Sequence, residues 1–340
     1  MVLMVAWALA PACASETVAV PRAAPVHWQA PGSKVSSPVV PTERERALAQ
    51  AYAAAIASPH FAALGSLLDD DVHFVFGARN TRGRERVVKQ YDDMLGAFDD
   101  RRFVPNRVWL TDSTQLLNSQ AIEWTMTGVQ ARAWMGVAPT GKPVTIKGLT
   151  LLWPTDDGVI SEVHVYFDED VVKAQLGAGP VELRKVSMPA PTAGTPQMLE
   201  RAGSAQETAN VGAFHAMLRA LEDNQEAAFL ASMTDDVSVF MLDAADPIRG
   251  KDEARSYFKN LRRAVRQVDT VVENAWGVGS FAIVEYSITG LQIAPLRRIP
   301  FAGGSGLHPL HTQFVDIAEI HGGKIARIWR YCDPLSFASL

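Results

Sequence analysis

The chain has 340 residues, 48% of them hydrophobic, and a formal net charge of −5. One hydrophobic core rarely grows past roughly 250 to 300 residues, so this length calls for two cores joined by linkers. Lys and Arg are scattered along the chain, which excludes the continuous positive field that holds a polyanion, and nucleic acid is not an expected partner.

Residues 1–12 are apolar throughout and end in Ala10-Pro11-Ala12. The run is too short for the roughly 20 residues that cross a bilayer and reads as a signal sequence. It lacks the Lys or Arg that ordinarily precedes such a run, as would a start internal to a longer leader. Cys13 follows. After small residues it resembles a bacterial lipoprotein box and is the candidate lipidation site; the alternative is ordinary cleavage that leaves Cys13 near a free terminus. The expected location is outside the cytoplasm: periplasmic, anchored to a membrane through Cys13, or secreted. Cys332 is the only other cysteine, so neither a disulfide framework nor a cysteine metal site can be built within one chain.

Prolines 21, 25, 31, 38 and 41 make the next stretch a semi-rigid tether, because proline removes backbone donors and favours extended chain. A second Pro- and Gly-rich stretch lies between Gly177 and Ala205. The expected boundaries are a leader over 1–13, a tether over 14–41, a first domain over 42–177, a linker over 178–205 and a second domain over 206–340.

The two domains repeat one another. Asp70-Asp71-Val72 is answered by Asp235-Asp236-Val237, Arg82-Gly83 by Arg249-Gly250, Thr127-Gly128 by Thr289-Gly290, and Gly158 to Asp168 by Gly323 to Asp333, in the same order and at near-constant spacing. Each copy starts with a capping-box pattern, Thr42 with Glu45 and Ser204 with Glu207, in which side chains satisfy the free amides of a helix start. Leu48, Tyr52 and Ile56 then mark one buried helix face, as do Phe214, Met217, Leu218 and Leu221. A further helix is predicted from Val87, Val88, Tyr91, Leu95 and Phe98, and from Ala254, Phe258, Leu261 and Val265; the cluster Arg262, Arg263 and Arg266 lies on its solvated face. Strands follow over 103–110, 115–130, 143–153 and 158–167, rich in β-branched and aromatic residues. Their order implies antiparallel pairing, with hairpin turns at Asp156-Asp157-Gly158 and His321-Gly322-Gly323, where glycine supplies positive φ. Helices ahead of a meander make an α+β fold.

The run Pro139-Thr140-Gly141-Lys142-Pro143-Val144-Thr145-Ile146-Lys147-Gly148, followed by Asp157-Gly158-Val159-Ile160, resembles the late strands of SnoaL-like polyketide cyclases and ester cyclases of the nuclear-transport-factor-2-like superfamily. Asp168 followed by Gln175-Leu176-Gly177 resembles the close of many members. The resemblance implies two tandem cone-shaped domains, each with N-terminal helices packed on a strongly curved, mainly antiparallel sheet, and a pocket at the open end. It also implies Asp168 as general acid and base on a hydrophobic substrate, with no metal or other cofactor. A carboxyl group in an apolar pocket loses hydration, its pKa rises, and proton transfer by such a group contributes about 10² to 10⁴ in rate.

The family often has His-Trp where this chain has Val163 and His164. His164 shares strand parity with Glu162, Tyr166 and Asp168, so these side chains project from one face. In one reading that face lines the pocket, with His164 and Asp168 sharing protons and Tyr166 donating a hydrogen bond. In the other it lies outside, because Val163, Val165 and Phe167 form the apolar face that a core requires, and Asp168 caps a short helix. Asp333 occupies the matching place in the second copy, preceded by Trp329 and Tyr331 but without a following Gln-Leu-Gly. Glu123 beside Trp124 and Glu285 beside Tyr286 complete the pocket candidates. His308, His311, Gln313 and Asp316 suggest a metal cluster only superficially, since residues three apart on a strand face opposite ways.

Single domains of the family often pair through the outer faces of their sheets, so the two copies are expected to form an internal pseudo-dimer within a monomer. Two functions remain open: an exported protein with a pocket for a small hydrophobic molecule, serving ligand binding or envelope scaffolding, and a metal-free acid–base enzyme acting through Asp168 on a small hydrophobic carbonyl compound.

Overall fold

The computed structural model describes residues 43–58, 60–77, 79–111, 119–180, 183, 186, 194–296 and 307–332. Cys13, Thr42, Asp333 and the tether lie outside that set. The first copy runs α1 (Glu43–Ala57), α2 (Ala62–Gly65), β1 (Leu68–Phe76), β2 (Arg79–Arg82), α3 (Arg84–Leu95), β3 (Phe98–Leu110), β4 (Gln120–Gln130), β5 (Pro143–Pro154), β6 (Ile160–Phe167), α4 (Glu169–Leu176) and β7 (Gln197–Glu200). The second runs α5 (Ala205–Glu222), α6 (Glu226–Ala231), β8 (Met233–Met241), β9 (Ile248–Arg249), α7 (Gly250–Ala264), β10 (Val265–Val278), β11 (Phe281–Gln292), β12 (His308–His321) and β13 (Lys324–Cys332). This is the tandem α+β arrangement that the repeat implied.

The sheet orders are β2-β1-β6-β5-β4-β3-β7 and β10-β11-β12-β13-β8-β9. The meander is antiparallel, but β1 pairs with β6, and β8 with β13, in parallel. These first strands were not among those expected: in β1, Asp69-Asp70-Asp71 follow Leu68 and mask the alternation. Another strand, β7, comes from the segment expected as a linker and pairs in parallel with β3. The two helices expected to reach Phe98 and Val265 stop at Leu95 and Ala264, and these two residues instead start β3 and β10.

Ser204 caps α5 with the full reciprocal capping box to Glu207. Gly158, Gly322 and Gly323 all take positive φ in the expected turns.

Alternation along each strand sorts the side chains onto two faces. In the first copy Ile122, Trp124, Met126, Val144, Ile146, Val163, Val165 and Phe167 face the helices and pack with Tyr52, Phe61, Phe74 and Tyr91. In the second, Val284, Tyr286, Ile288, Phe314 and Ile328 do the same with Phe214, Leu218 and Phe258. A third cluster joins the opposite faces of the two sheets: Trp109, Leu149, Leu151 and Tyr166 from the first copy pack with Trp276, Phe281, Ile283, Val315 and Tyr331 from the second. With both faces covered, β4 is buried at nearly every position, as strands between two apolar layers must be.

Candidate functional site

The seam between the sheets carries a polar set that follows the repeat. Tyr166 of β6 donates its hydroxyl to Glu285 of β11, and the equivalent Tyr331 of β13 donates to Glu123 of β4 at 2.5 Å. The same contact is thus made twice with the partners exchanged, the signature of an isologous pairing. The charges that neutralise the two carboxylates differ. Glu123 is paired with Arg107 (2.7 Å) and Lys147 (2.9 Å). Burial alone would raise its pKa, but these cations outweigh it and bring it down to about 2. Glu285 is fully buried and bonds to His164 Nδ1 at 2.6 Å and Asn274 at 2.5 Å. The other His164 nitrogen meets Glu162 at 2.8 Å. Burial opposes charge on the imidazole, yet Glu285 and Glu162 prevail and push its pKa up to about 10.

This geometry places His164, Tyr166, Glu123 and Glu285 in the seam, outside both cones. Asp168 is 3% exposed, and its Oδ1 accepts the amide of Val171 at 3.0 Å as the N-cap of α4. The crevice that Asp168 lines with Thr145, Ile146 and Val172 has no room for a water molecule. Trp124 fills the first cone: its indole bonds to Thr150 at 3.0 Å and lies over Gly148, where a β-carbon would stand 2.2 Å from the ring. Aromatic contacts to Phe103 and Phe167 complete the filling.

The second cone is different. In register terms Ile122, Thr150 and Val165 sit side by side in the first sheet, and Val284, Asp316 and Arg330 in the second. Arg330 binds Asp316 through Nε (2.9 Å) and Nη2 (2.7 Å), Tyr286 through Nη2 (2.8 Å) and Tyr257 of α7 through Nη1 (2.6 Å). Tyr286 also donates to Asp316 at 2.9 Å. Burial disfavours the guanidinium charge, but Asp316 more than compensates and raises its pKa. A guanidinium has five N–H groups, and these contacts use four of them. Beside this network a cavity of about 170 Å³ opens at the rim, lined by Phe240, Met241, Leu242, Trp329, Arg330 and Lys147 among others. Of the expected pocket residues, Trp329 and Tyr331 line this cavity and Tyr286 lies in the adjoining network.

The model of the SnoaL-like domain matches the chain twice, over residues 49–163 and 214–328. The chain belongs to the SnoaL-like domain family. No protein with a curated description matches it. Among solved structures, one from Jannaschia sp. CCS1, described as a SnoaL-like polyketide cyclase, shares 20% identity over 39% of this chain and 91% of its own, with a TM-score of 0.35. An LEH-like epoxide hydrolase of M. tuberculosis shares 16% over 39% of this chain and 89% of its own, TM-score 0.32. An NTF2-like protein from Burkholderia pseudomallei shares 12% over 37% of this chain and 92% of its own, TM-score 0.31. At these levels the family assignment rests on the two matches of the domain model.

Within the SnoaL-like repeat, the ion pair of the second copy escaped the sequence reading. A signal was there: Arg330 shares strand parity with Ile328 and Cys332, so it stands in the row that faces the core. Trp329 and Tyr331 stand on the opposite face.

Proposed function

We propose that this protein is a SnoaL-like ligand-binding module whose second copy takes a small, mostly apolar molecule carrying one hydrogen-bond acceptor, while its first copy serves as structural support. The observation that carries this reading is the cavity of about 170 Å³ with an aromatic wall and Arg330 at its edge. An apolar cavity of about 150 Å³ binds benzene, so the space suits one aromatic ring or a short aliphatic chain. The remaining guanidinium N–H is a donor for a carboxylate or carbonyl oxygen. A buried ion pair is weak evidence for stability, since apolar replacements often do as well; a place in ligand recognition is a better reason for its presence.

The acid–base alternative has less support, because Asp168 is engaged as a helix cap beside a crevice too narrow for water. The covered seam supports a self-sufficient monomer, and the apolar run before Cys13 supports export. Partition of the native protein into detergent checks the lipid anchor, and sedimentation of the purified chain checks the monomer.

Trp329 lines the cavity and stacks on Phe240 at 5.7 Å, which makes indole fluorescence the natural readout. Titration with benzoate, benzaldehyde and short-chain acids is expected to give a saturable change that Ala244→Phe, on the cavity wall, abolishes without lowering the melting temperature. No saturable response to any of these compounds, or a response that survives Ala244→Phe, contradicts the proposal.

A further inference from the structure

His73 of β1 and Glu162 of β6 are registered neighbours on parallel strands, and His164 lies two residues beyond Glu162 on the same face. The three side chains converge: His73 Nδ1 lies 3.0 Å and His164 Nε2 2.8 Å from the same oxygen, Glu162 Oε1. One ligand atom from each of the three can be chosen so that all lie within 4.8 Å of one another. We propose that His73, Glu162 and His164 bind a divalent transition-metal cation of the zinc type, on the face of the first sheet turned away from its helices, across the pairing of β1 with β6.

Donor chemistry and surroundings support the assignment. Two imidazoles and a carboxylate suit zinc and its neighbours, and three protein ligands leave a coordination position for water. Ligating histidines are ordinarily held through their second nitrogen by an oxygen acceptor, and both rings are held in this way. His164 Nδ1 meets Glu285 at 2.6 Å, and His73 Nε2 meets Asn80 Oδ1 at 2.7 Å. Side-chain exposure grades from 9% at His164 through 18% at His73 to 38% at Glu162, so a cation has a path in from solvent. Without the cation, protons must bridge both rings to the one carboxylate oxygen. A cation takes their place and the protons pass to solvent, with no change of oxidation state.

The family resemblance implied no metal, and local spacing does not reveal these ligands: His73 lies far in sequence from the other two, and only the parallel pairing of β1 with β6 unites them. The site is independent of the cavity near Arg330, so either proposal can fail alone.

The test is calorimetric titration of the untagged full chain, stripped by chelator, with zinc. One zinc ion per chain is expected, and cobalt in its place should give visible d–d absorption. His73→Gln and Glu162→Gln, both at partly exposed positions, should each weaken zinc at least 10-fold while keeping the far-ultraviolet circular dichroism of the parent. Asn80→Ala, which touches only the far side of a ligand ring, should weaken it about 10-fold, within the range for outer-shell partners. Absence of zinc binding by the parent chain, or equal affinity in His73→Gln and Glu162→Gln, overturns the proposal.

Discussion

At corresponding places in two copies of one fold, the first cone carries Trp124, Thr150 and Val165, and the second carries Tyr286, Asp316 and Arg330. The first set closes its interior: an indole lies over Gly148 and bonds to a threonine hydroxyl. In the second, Phe314 stands at the place of Gly148 and stacks on Tyr286 at 5.5 Å, so a smaller ring on one strand is offset by a larger side chain on the next. The ion pair lies buried in the interior, and the cavity opens beside it at the rim. One copy fills its interior with apolar side chains while the other keeps charge in its interior, and the outer faces pack on each other, sharing one tyrosine–carboxylate contact in exchanged form.

The largest expected effect separates the copies by charge. Arg330→Val leaves Asp316 buried without its partner and should cost about 3–5 kcal/mol, read as a lowered denaturation midpoint. Val165→Leu, at the same register position in the first cone, adds a methylene to a filled core and should cost about 1–3 kcal/mol. Equal losses in both would mean that the two interiors do not differ in the way described.

Next come the tyrosines of the seam. Tyr166→Phe and Tyr331→Phe each remove a hydroxyl donated to a buried carboxylate, and each should cost about 1.5–3 kcal/mol. Similar values support the exchanged symmetry; a loss in only one denies it. The carboxylate neighbours set a pH window. The raised pKa of His164, about 10, means that its contribution is fully present below about 6.5, the unfolded value, and is lost as pH rises through 10. The lowered pKa of Glu123, about 2, means that its contribution is present above about 4.5 and is lost as pH falls toward 2. Melting temperature of the chelator-stripped chain against pH should therefore fall on both sides, and the alkaline limb should flatten in a His164→Gln chain.

The smallest effect probes the closure of the first cone. Gly148→Ala drives a β-carbon against Trp124 and should cost about 1–3 kcal/mol as an overpacked core. Phe314→Leu, at the matching place in the second copy, should be tolerated at less than about 1.5 kcal/mol.

Much of the fold was legible. Alternation located β5 and β6 closely, and the ends but not the starts of β3 and β4, because each strand has an apolar face to bury, and the capping box of Ser204 and Glu207 named the start of α5. β1 was not legible, since its acidic opening hides the pattern and its parallel partner lies far along the chain. The polar row Glu162, His164 and Tyr166 was legible as a row, and the apolar parity of Val163, Val165 and Phe167 correctly implied which side faces the helices. What covers that polar row was not, because Glu285 reaches it from the other copy. Arg330 was hidden for another reason: local pattern assigns charge to solvent, and only the registered neighbour Asp316 makes its burial tolerable.

The most direct test of the central claim converts the second interior into the first. In the double substitution Asp316→Thr with Arg330→Val, the pair is removed whole, the threonine hydroxyl can accept from Tyr286 as Thr150 does from Trp124, and, with no buried charge left unpaired, stability should exceed that of Arg330→Val alone. Benzoate binding, followed by Trp329 fluorescence, should disappear in this folded chain. Undiminished binding would contradict the account.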